Sequence, residues 1–282
     1  MGREGAGCRQ VVVRFIALVV ALAIVNVPAR AEQAPDRDEL MARVGAYITR
    51  FITQFTNVVA EEDYVQETTS PRRKRHLRSD FLLVRYPGAT LWQAFRDTFE
   101  VDGKAVRTEP ERLTQLFVDP PANAMQRVRE IAETSAKYNL ENIGTINYPL
   151  IVIALLQRGY HDRFRFTRSV MEKSLGPDVR TVQYEEFRRP TILTRDGNGD
   201  LFSSGLIWVE QETGRVVKTQ LRFGRTPYQT RIETTFKLDA DLGIDVPTEM
   251  RESYPARGGE VNGVATYGRF RRFQVQTTDT VN

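Results

Sequence analysis

The sequence is poor in the side chains that most often build catalytic and metal sites. Its 282 residues include one cysteine and two histidines. The cysteine, Cys8, precedes an apolar N-terminal run, so a chain without that run has no disulfide, thiol nucleophile or cysteine-ligated metal. His76 and His161 lie in charged, loop-like segments without a second ligand histidine or a G-x-S-x-G motif, which indicates surface residues. We predict no catalytic residue, no metal site and no cofactor, and hence a protein that is not an enzyme.

Three groups of acidic residues are the remaining candidates for chemistry. The run Asp196-Gly-Asn-Gly-Asp200 resembles the start of a calcium loop, but Leu201 and Ile207 stand where such a loop needs glycine and a bidentate glutamate. A glycine-rich turn explains the same residues. Glu185 and Glu186 are adjacent on a strand-like segment, where neighbouring side chains point to opposite faces. Glu61 and Glu62 are adjacent at the end of the first predicted helix, where we expect them to be solvated. None of the three groups indicates a reactive site.

The first 31 residues have the pattern of a secretory signal peptide. A segment with three arginines precedes the apolar run Phe15–Val27, and Ala29-Arg30-Ala31 supplies a cleavage site between small residues. The alternative, an uncleaved anchor, is disfavoured because a span needs about 20 apolar residues. Cys8 precedes the run and so is not the acylated cysteine of a lipoprotein. We predict a periplasmic or secreted protein, not a lipoprotein, with no transmembrane span after cleavage.

The positive charge of the chain is concentrated at its N-terminus. The formal net charge is +4, but residues 1–31 hold four arginines and one glutamate, which leaves +1 for the rest. A nucleic-acid-binding function therefore loses its main support. The local excess that remains is Arg72-Arg73-Lys74-Arg75, between two strand-like runs. A solvated loop tip is one interpretation, and a contact with anionic lipid headgroups or an acidic partner protein is the other.

Helical periodicity occurs in two parts of the chain. From Asp36 to Glu62, apolar residues recur at spacings of three and four, which predicts one long amphipathic helix that packs on a sheet. Residues 108–158 contain a capping-box pattern at Thr108–Glu111, a helical pattern after Pro120, and the apolar run Leu150–Leu156, which is too short for a membrane span. We predict a helical insertion in this region.

The other segments show the period-2 alternation of β-strands. The clearest is Leu201–Phe223, which reads as two strands around a tight turn at Gly214. In Thr230–Asp239, every second residue from Ile232 to Leu238 shares one face. The fold class is therefore α+β, and without internal repeats or linkers we predict one domain over residues 32–282. Further predicted strands are Asp63–Thr69, Leu77–Tyr86, Thr90–Val101, Lys104–Arg107, Val179–Pro190, Met250–Tyr254 and Val264–Thr277.

The order of these elements resembles the periplasmic lipoprotein-carrier and lipoprotein-sorting (LolA/LolB-like) superfamily. The residues that carry the resemblance are the helix Asp36–Glu62 and the hairpin with Gly205–Glu210 and Thr213–Val217. The final strand, Ala265–Phe273, is similar to that of uncharacterised exported bacterial proteins. The resemblance implies a strongly curved antiparallel sheet, a half-barrel, packed with the long helix and the helical insertion around an apolar cavity. It implies binding of acyl chains or another apolar ligand and assigns no role to an individual residue.

An apolar cavity would be lined by side chains of the strands. The segment Leu77–Tyr86 is apolar on both faces, so both sides of it need a cover. Ordinary core packing is the alternative for each candidate lining residue. We predict an exported, non-enzymatic binding or carrier protein for an apolar or lipid-like ligand; the alternative is an envelope protein-interaction or scaffold module without a ligand. The candidate lining residues are Phe81, Leu83, Trp92, Trp208, Phe223 and Phe236.

Overall fold

The computed structural model describes residues 37–55, 57–84, 93–109, 112–119, 121–140, 148–195, 199–225, 228–256 and 259–273. The predicted signal peptide, residues 1–31, lies outside them. The described helices are α1 (Arg37–Gln54), α2 (Arg112–Val118), α3 (Ala124–Ala136) and α4 (Ile151–Leu155), and a 3-10 helix spans Arg158–Arg163. The described strands are β1 (Val58–Thr69), β2 (Arg72–Val84), β3 (Gln93–Val101), β4 (Lys104–Ala105), β5 (Phe164–Met171), β6 (Val179–Glu186), β7 (Leu193–Arg195), β8 (Gly199–Leu201), β9 (Ser203–Glu210), β10 (Val216–Arg225), β11 (Tyr228–Asp239), β12 (Ile244–Ala256) and β13 (Gly259–Arg272).

Eleven strands form one antiparallel sheet in the order β4-β3-β2-β1-β13-β12-β11-β10-β9-β6-β5. Most neighbours follow each other in the chain, as expected for hairpin connections, and β1 pairs with β13 to join the two groups of strands. Strands β4 and β5 stand at the two edges, so the described sheet is not closed. Strands β7 and β8 pair separately. The prediction of an antiparallel sheet with a few helices is confirmed.

The predicted hairpin is present as β9 and β10. Gly214 lies in the connecting turn with φ 69°, a backbone conformation that favours glycine. A bulge between Val216 and Lys218 shifts the alternation. Val216 is therefore buried, whereas Val217, which strict alternation would place on the same face as Leu221, is partly exposed.

The first helix is shorter than predicted. It ends at Gln54 rather than at Glu62, and β1 already begins at Val58. Asn57 adopts φ 54°, a left-handed conformation that asparagine tolerates and that ends a helix. The β-branched Val58 then pairs with Leu83 of β2. The helical prediction is therefore wrong for Val58–Glu62.

Helices α2, α3 and α4 lie between β4 and β5, within the region where the sequence predicts a helical insertion. Residues Pro35–Asn282 form one compact unit. Helix α4 consists of buried residues, in agreement with its continuous apolar sequence. No helix among the described residues is long and apolar enough to cross a membrane.

Alternation along the strands gives the sheet two differently covered faces. On the first, here called the helical face, strand residues pack with α1 and α4 in one apolar core. On the second, here called the outer face, α2 and α3 cover apolar residues of β1, β2 and β3. The two apolar faces predicted for β2 therefore have separate covers, with Phe81 and Leu83 on the helical face and Leu82 and Val84 on the outer face.

The predicted alternation of β11 is present over most of its length. Ile232, Thr234 and Phe236 are buried, whereas Arg231 is exposed. Leu238 is an exception because it is 63% exposed at the end of the strand.

Each fully buried aliphatic or aromatic side chain contributes roughly 1.5–3 kcal/mol to the free energy of unfolding. The helical face therefore holds the main apolar core.

Candidate functional site

Helix α1 covers the helical face with an apolar stripe. Phe51 joins the helix to the sheet: its ring stacks on Phe55 with 5.1 Å between centroids and meets Phe236 of β11 edge-on at 6.3 Å. Apolar contacts are not directional. A hydrocarbon chain could therefore make the same contacts in place of these side chains. The buried residues of α1 are Leu40, Met41, Val44, Gly45, Tyr47, Ile48, Phe51 and Ile52.

Polar contacts hold α1 to one end of the sheet. Tyr47 donates a hydrogen bond to Asp245 at 2.9 Å, near the start of β12, and Arg43 donates to the carbonyl of Gln211 at 2.8 Å. Gly214 lies so close to the helix that a Cβ there would stand 2.4 Å from the carbonyl carbon of Arg43. Burial and the charge of Asp245 raise the pKa of Tyr47, so its phenol stays protonated and donates.

Four of the candidate lining residues lie on the helical face. Phe81 and Leu83 of β2 and Phe236 of β11 belong to the apolar core under α1, and Phe223 of β10 packs against it while partly exposed. Phe81 also contacts Tyr267 of β13, with 5.3 Å between ring centroids. In the described structure these residues contact the helix and one another. Their contact with a ligand stays a prediction.

The two tryptophans are separated from this group. Ile207 and Val209 belong to the core of the helical face, so Trp208 between them points to the outer face. There the Nζ atom of Lys218 lies 5.0 Å from the centroid of the indole ring. Trp92 lies outside the described residues.

A group of charged and phenolic side chains is buried on the helical face. Arg96 of β3 donates to both carboxylate oxygens of Glu62, at 2.8 Å for the Nη2–Oε1 pair, and its guanidinium lies 4.6 Å from the ring centroid of Tyr64. Tyr64 and Tyr254 donate to the two oxygens of Glu252, the second at 2.6 Å. These five residues, here called the buried polar network, come from β1, β3 and β12.

The buried polar network holds two carboxyl groups and one guanidinium. Burial raises the pKa of Glu62, although the adjacent Arg96 opposes this. Burial also raises the pKa of Glu252, where hydrogen bonds from Tyr254 and Tyr64 oppose it. Arg96 balances one carboxylate, and the second depends on phenol donors. The network therefore places a carboxyl group that protonates more readily than an exposed glutamate inside an otherwise apolar face.

Residues that follow α3 close one side of the buried polar network. The amide of Gln66 donates to the hydroxyl of Tyr64 at 3.0 Å and to Oδ1 of Asn139 at 3.1 Å, and it accepts from the backbone of Leu140 at 2.8 Å. Gln66 is fully buried. The helical insertion thus reaches the helical face as well as the outer face.

Charged side chains also meet on the outer face, where they pair with one another. Arg112 of α2 donates two hydrogen bonds of 2.9 Å to Asp97 of β3, and Arg107 bridges Asp97, at 3.2 Å, and Asp80. Clefts of about 790 and 280 Å³ flank this group, and Glu109 lines both. Because the opposite charges pair with one another, the group ties α2 to the sheet.

The basic segment Arg72–Arg75 lies in strand β2, so the interpretation of this segment as a loop tip is wrong. Lys74 pairs with Glu67 at 3.4 Å, and Arg75 pairs with Asp102 at 3.0 Å. Cross-strand carboxylates therefore match part of its charge. Contact of the segment with anionic headgroups or a partner protein stays a prediction.

The histidines and the acidic run have structural contacts. His76 is partly exposed, with Nε2 3.0 Å from Asp63, whereas His161 is half-buried beside the carbonyl of Leu156, and burial lowers its pKa. Asp200 accepts the backbone N–H of Thr191, and Asp196, Gly197 and Asn198 lie outside the described residues. Within the described part of the chain, no group of three or more His, Cys, Asp or Glu side chains is arranged to hold a metal ion.

No family model and no curated protein matches the chain. Among solved structures, a LolA superfamily protein from Nitrosomonas europaea is similar at 12% identity and a TM-score of 0.35, over 86% of this chain and 96% of that one. A domain named for outer membrane lipoprotein sorting, from Vibrio parahaemolyticus, is similar at 12% identity and a TM-score of 0.37, over 84% and 94%.

A DUF1329 family protein from Desulfovibrio piger is similar at 12% identity and a TM-score of 0.36, over 85% of this chain and 95% of that one. The first two structures bear the name of the superfamily that the sequence resembles. At these TM-scores and identities the likenesses transfer no function to the chain.

Proposed function

We propose that the protein is a non-enzymatic carrier of an apolar or lipid-like ligand in the cell envelope. The ligand would bind between α1 and the helical face, and α1 would act as a movable cover. We further propose that the sheet curves around this site as a half-barrel. Phe81, Leu83, Phe223 and Phe236 would contact the ligand in this arrangement.

The observation that carries the proposal is the composition of the helical face. It combines a wide apolar surface under α1 and α4 with a few converging polar groups, Glu62, Arg96 and Glu252. Apolar walls with a small number of placed polar groups are typical of small-molecule binding sites. The polar contacts of Arg43 and Tyr47 attach α1 at one end of the sheet, so the helix can move away from the apolar surface while it stays attached.

Site-specific labelling tests whether α1 moves when an apolar ligand binds. Ile48 is 1% exposed against the sheet, whereas Ala46 faces solvent on the same helix. In the chain that lacks residues 1–31, which has no cysteine, we expect maleimide to label the Ile48→Cys variant slowly and the Ala46→Cys variant fast. A fluorescent fatty acid should raise the first rate and leave the second unchanged. Absence of probe binding, or equal rates with and without probe, would contradict the proposal.

The free edge strand β5 favours a second candidate function. Its outer edge is not paired in the described sheet, and an edge of this kind can take a strand from another protein. This supports an envelope protein-interaction module. Crosslinking in the periplasm distinguishes the two candidate functions. The photoreactive residue is placed at exposed Thr167 of β5, and the control has it at exposed Arg251 on the outer face. A specific partner captured only from Thr167, together with absence of a bound ligand, would favour this function.

The proposed location depends on removal of the signal peptide. Fractionation of cells with detection of the mature mass tests it. A species that lacks residues 1–31 in the periplasm or medium is expected, and a membrane-bound full-length chain would contradict the proposal.

A further inference from the structure

Glu252 lies where the apolar part of the helical face meets the buried polar network. On its own strand, β12, it follows the buried core residue Met250, and across the sheet it stands opposite the buried Ile232 of β11. On its other side the phenol of Tyr64 reaches it over Gly263, where a Cβ would stand 2.7 Å from the phenol oxygen. The carboxyl group of Glu252 therefore has apolar side chains on one side and hydrogen-bond donors on the other.

The buried polar network has one more carboxyl group than it has cations. The guanidinium of Arg96 donates two hydrogen bonds to Glu62. The donors to Glu252 are instead the uncharged phenols of Tyr64 and Tyr254. Strands β2, β1 and β13 separate Arg96 on β3 from Glu252 on β12. Burial raises the pKa of Glu252 and the charge of Glu62 adds to this, while the two phenols and the more distant Arg96 oppose the rise without reversing it.

An apolar chain bound under α1 would bring its headgroup to this carboxyl group. Phe236 and Ile232 share the helical face of β11 and belong to the core that α1 covers, and Ile232 stands opposite Glu252. A chain that lies along these two residues therefore ends beside Glu252. A positively charged headgroup would balance the carboxylate there. An anionic headgroup would instead meet the carboxyl groups of Glu62 and Glu252 and a guanidinium that is already paired.

We propose that the preferred ligand has an apolar chain and a positively charged amine headgroup, which pairs with Glu252. This inference rests on the proposed carrier function, because it places the headgroup in the same site. An ammonium group has three N–H donors, and each carboxylate oxygen can accept a second hydrogen bond beside the one from Tyr64 or Tyr254. A Glu252 carboxyl group that is protonated before binding releases its proton to solvent, so the pair forms between a carboxylate and an ammonium.

Probes with chains of matched length and different headgroups test the proposal. Decylammonium, decanol and decanoate compete on the mature chain at pH 7 with the uncharged fluorescent probe N-phenylnaphthylamine, below the concentrations at which they form micelles. We expect decylammonium to bind about tenfold or more tightly than decanol, because a hydrogen bond between charged groups is stronger than one between neutral groups. Decanoate should also bind through its chain, but more weakly than decanol.

Two variants separate the headgroup contact from a general change in the site. Glu252→Gln removes the charge and keeps the size of the side chain, so decylammonium should lose its advantage of about tenfold over decanol. The matched control Glu260→Gln changes an exposed carboxylate of β13 and should bind all three probes like the parent. Thermal unfolding checks that both variants are folded. If Glu252→Gln does not fold, the comparison of the three probes on the parent chain decides alone.

The outcomes distinguish the headgroup from the apolar site. Binding of decylammonium no tighter than that of decanol, or tighter binding of decanoate, would overturn the headgroup inference alone. Equal losses for all three probes in Glu252→Gln, or equal losses in Glu252→Gln and Glu260→Gln, would do the same, because they indicate a general effect on the site. Absence of binding by every probe, N-phenylnaphthylamine included, would reject the proposed ligand site and the headgroup inference with it.

Discussion

The helical face buries two kinds of surface that differ in what stabilises them. The apolar half lies under α1 and includes Ile48, Phe51 and Phe236. It is stabilised by apolar contacts, which are not directional. In the polar half, Glu62 and Arg96 are nearly as deeply buried but depend on specific partners. Apolar contacts can be exchanged for a ligand, whereas a buried charge that loses its partner is costly. The difference suggests that the apolar half opens and that the polar half stays fixed.

Removing the cation of the polar half should have the largest effect on stability. The Arg96→Met variant leaves Glu62 buried without its partner and should lower the free energy of unfolding by about 3–5 kcal/mol. Arg269→Met removes the exposed partner of Glu61 and should cost no more than about 1 kcal/mol. Urea unfolding at pH 7 measures both. Equal losses in the free energy of unfolding would contradict the claim that the buried pair depends on its partner more than an exposed pair does.

The attachment of α1 is tested at the turn between β9 and β10. Gly214→Ala puts a Cβ against the backbone of Arg43 and retains a strained φ of 69°, so we expect a loss of about 2 kcal/mol or more. Gly243 has a similar φ of 64°, but a Cβ there would meet nothing within 4 Å, so Gly243→Ala should show only the backbone cost of about 1 kcal/mol. Thermal unfolding compares them, and labelling of Ile48→Cys should be faster only with Gly214→Ala. Identical behaviour would disprove contact between the turn and α1.

Two carboxyl groups on opposite faces of the sheet should contribute to the free energy of unfolding with opposite pH dependence. Burial raises the pKa of Glu252, so the stability linked to it is present below the pKa of the unfolded chain and is lost as pH rises through the folded value. Burial would also raise the pKa of Glu233, but hydrogen bonds from Lys218, Arg231 and Gln220 lower it overall. Its stabilisation is therefore present at neutral pH and is lost as pH falls.

Urea unfolding between about pH 3 and 8 measures this contrast, with the range chosen about the ordinary pKa of glutamate near 4.3. Relative to the parent, Glu252→Gln should gain stability as pH rises, and Glu233→Gln should lose it. The same sign for both variants would contradict the assignment of Glu252 to a buried site that favours the protonated acid.

The sequence predicted the features of the sheet that depend on local periodicity. The strands around Gly214 and the alternation of Ile232 to Phe236 follow from period 2. The end of α1 could not be predicted from periodicity, because Val58 and Val59 continue the helical spacing and are also strong strand formers. Pairing with Leu82 and Leu83, distant in sequence, decides in favour of the strand.

The buried polar network was missed for a related reason, and the expectation that Glu62 is solvated is wrong because Glu62 is buried. Glu62, Arg96 and Glu252 come from three strands and form no motif, so only the register of the sheet brings them together. A signal was present in the alternation of β1, where Glu62 and Gln66 stand on the same face as the apolar Tyr64. Polar residues at positions of a core face indicate a buried partner, but they do not name it.

The central claim is that the helical face exchanges contacts with α1 for an apolar ligand. Native mass spectrometry of the mature chain, purified from the envelope without detergent, tests it most directly. We expect mass additions of lipid size that are lost on denaturation, and fewer of them in a Phe236→Glu variant whose unfolding temperature confirms a folded chain. A bare protein mass, together with no binding of added fatty acids, would contradict the claim.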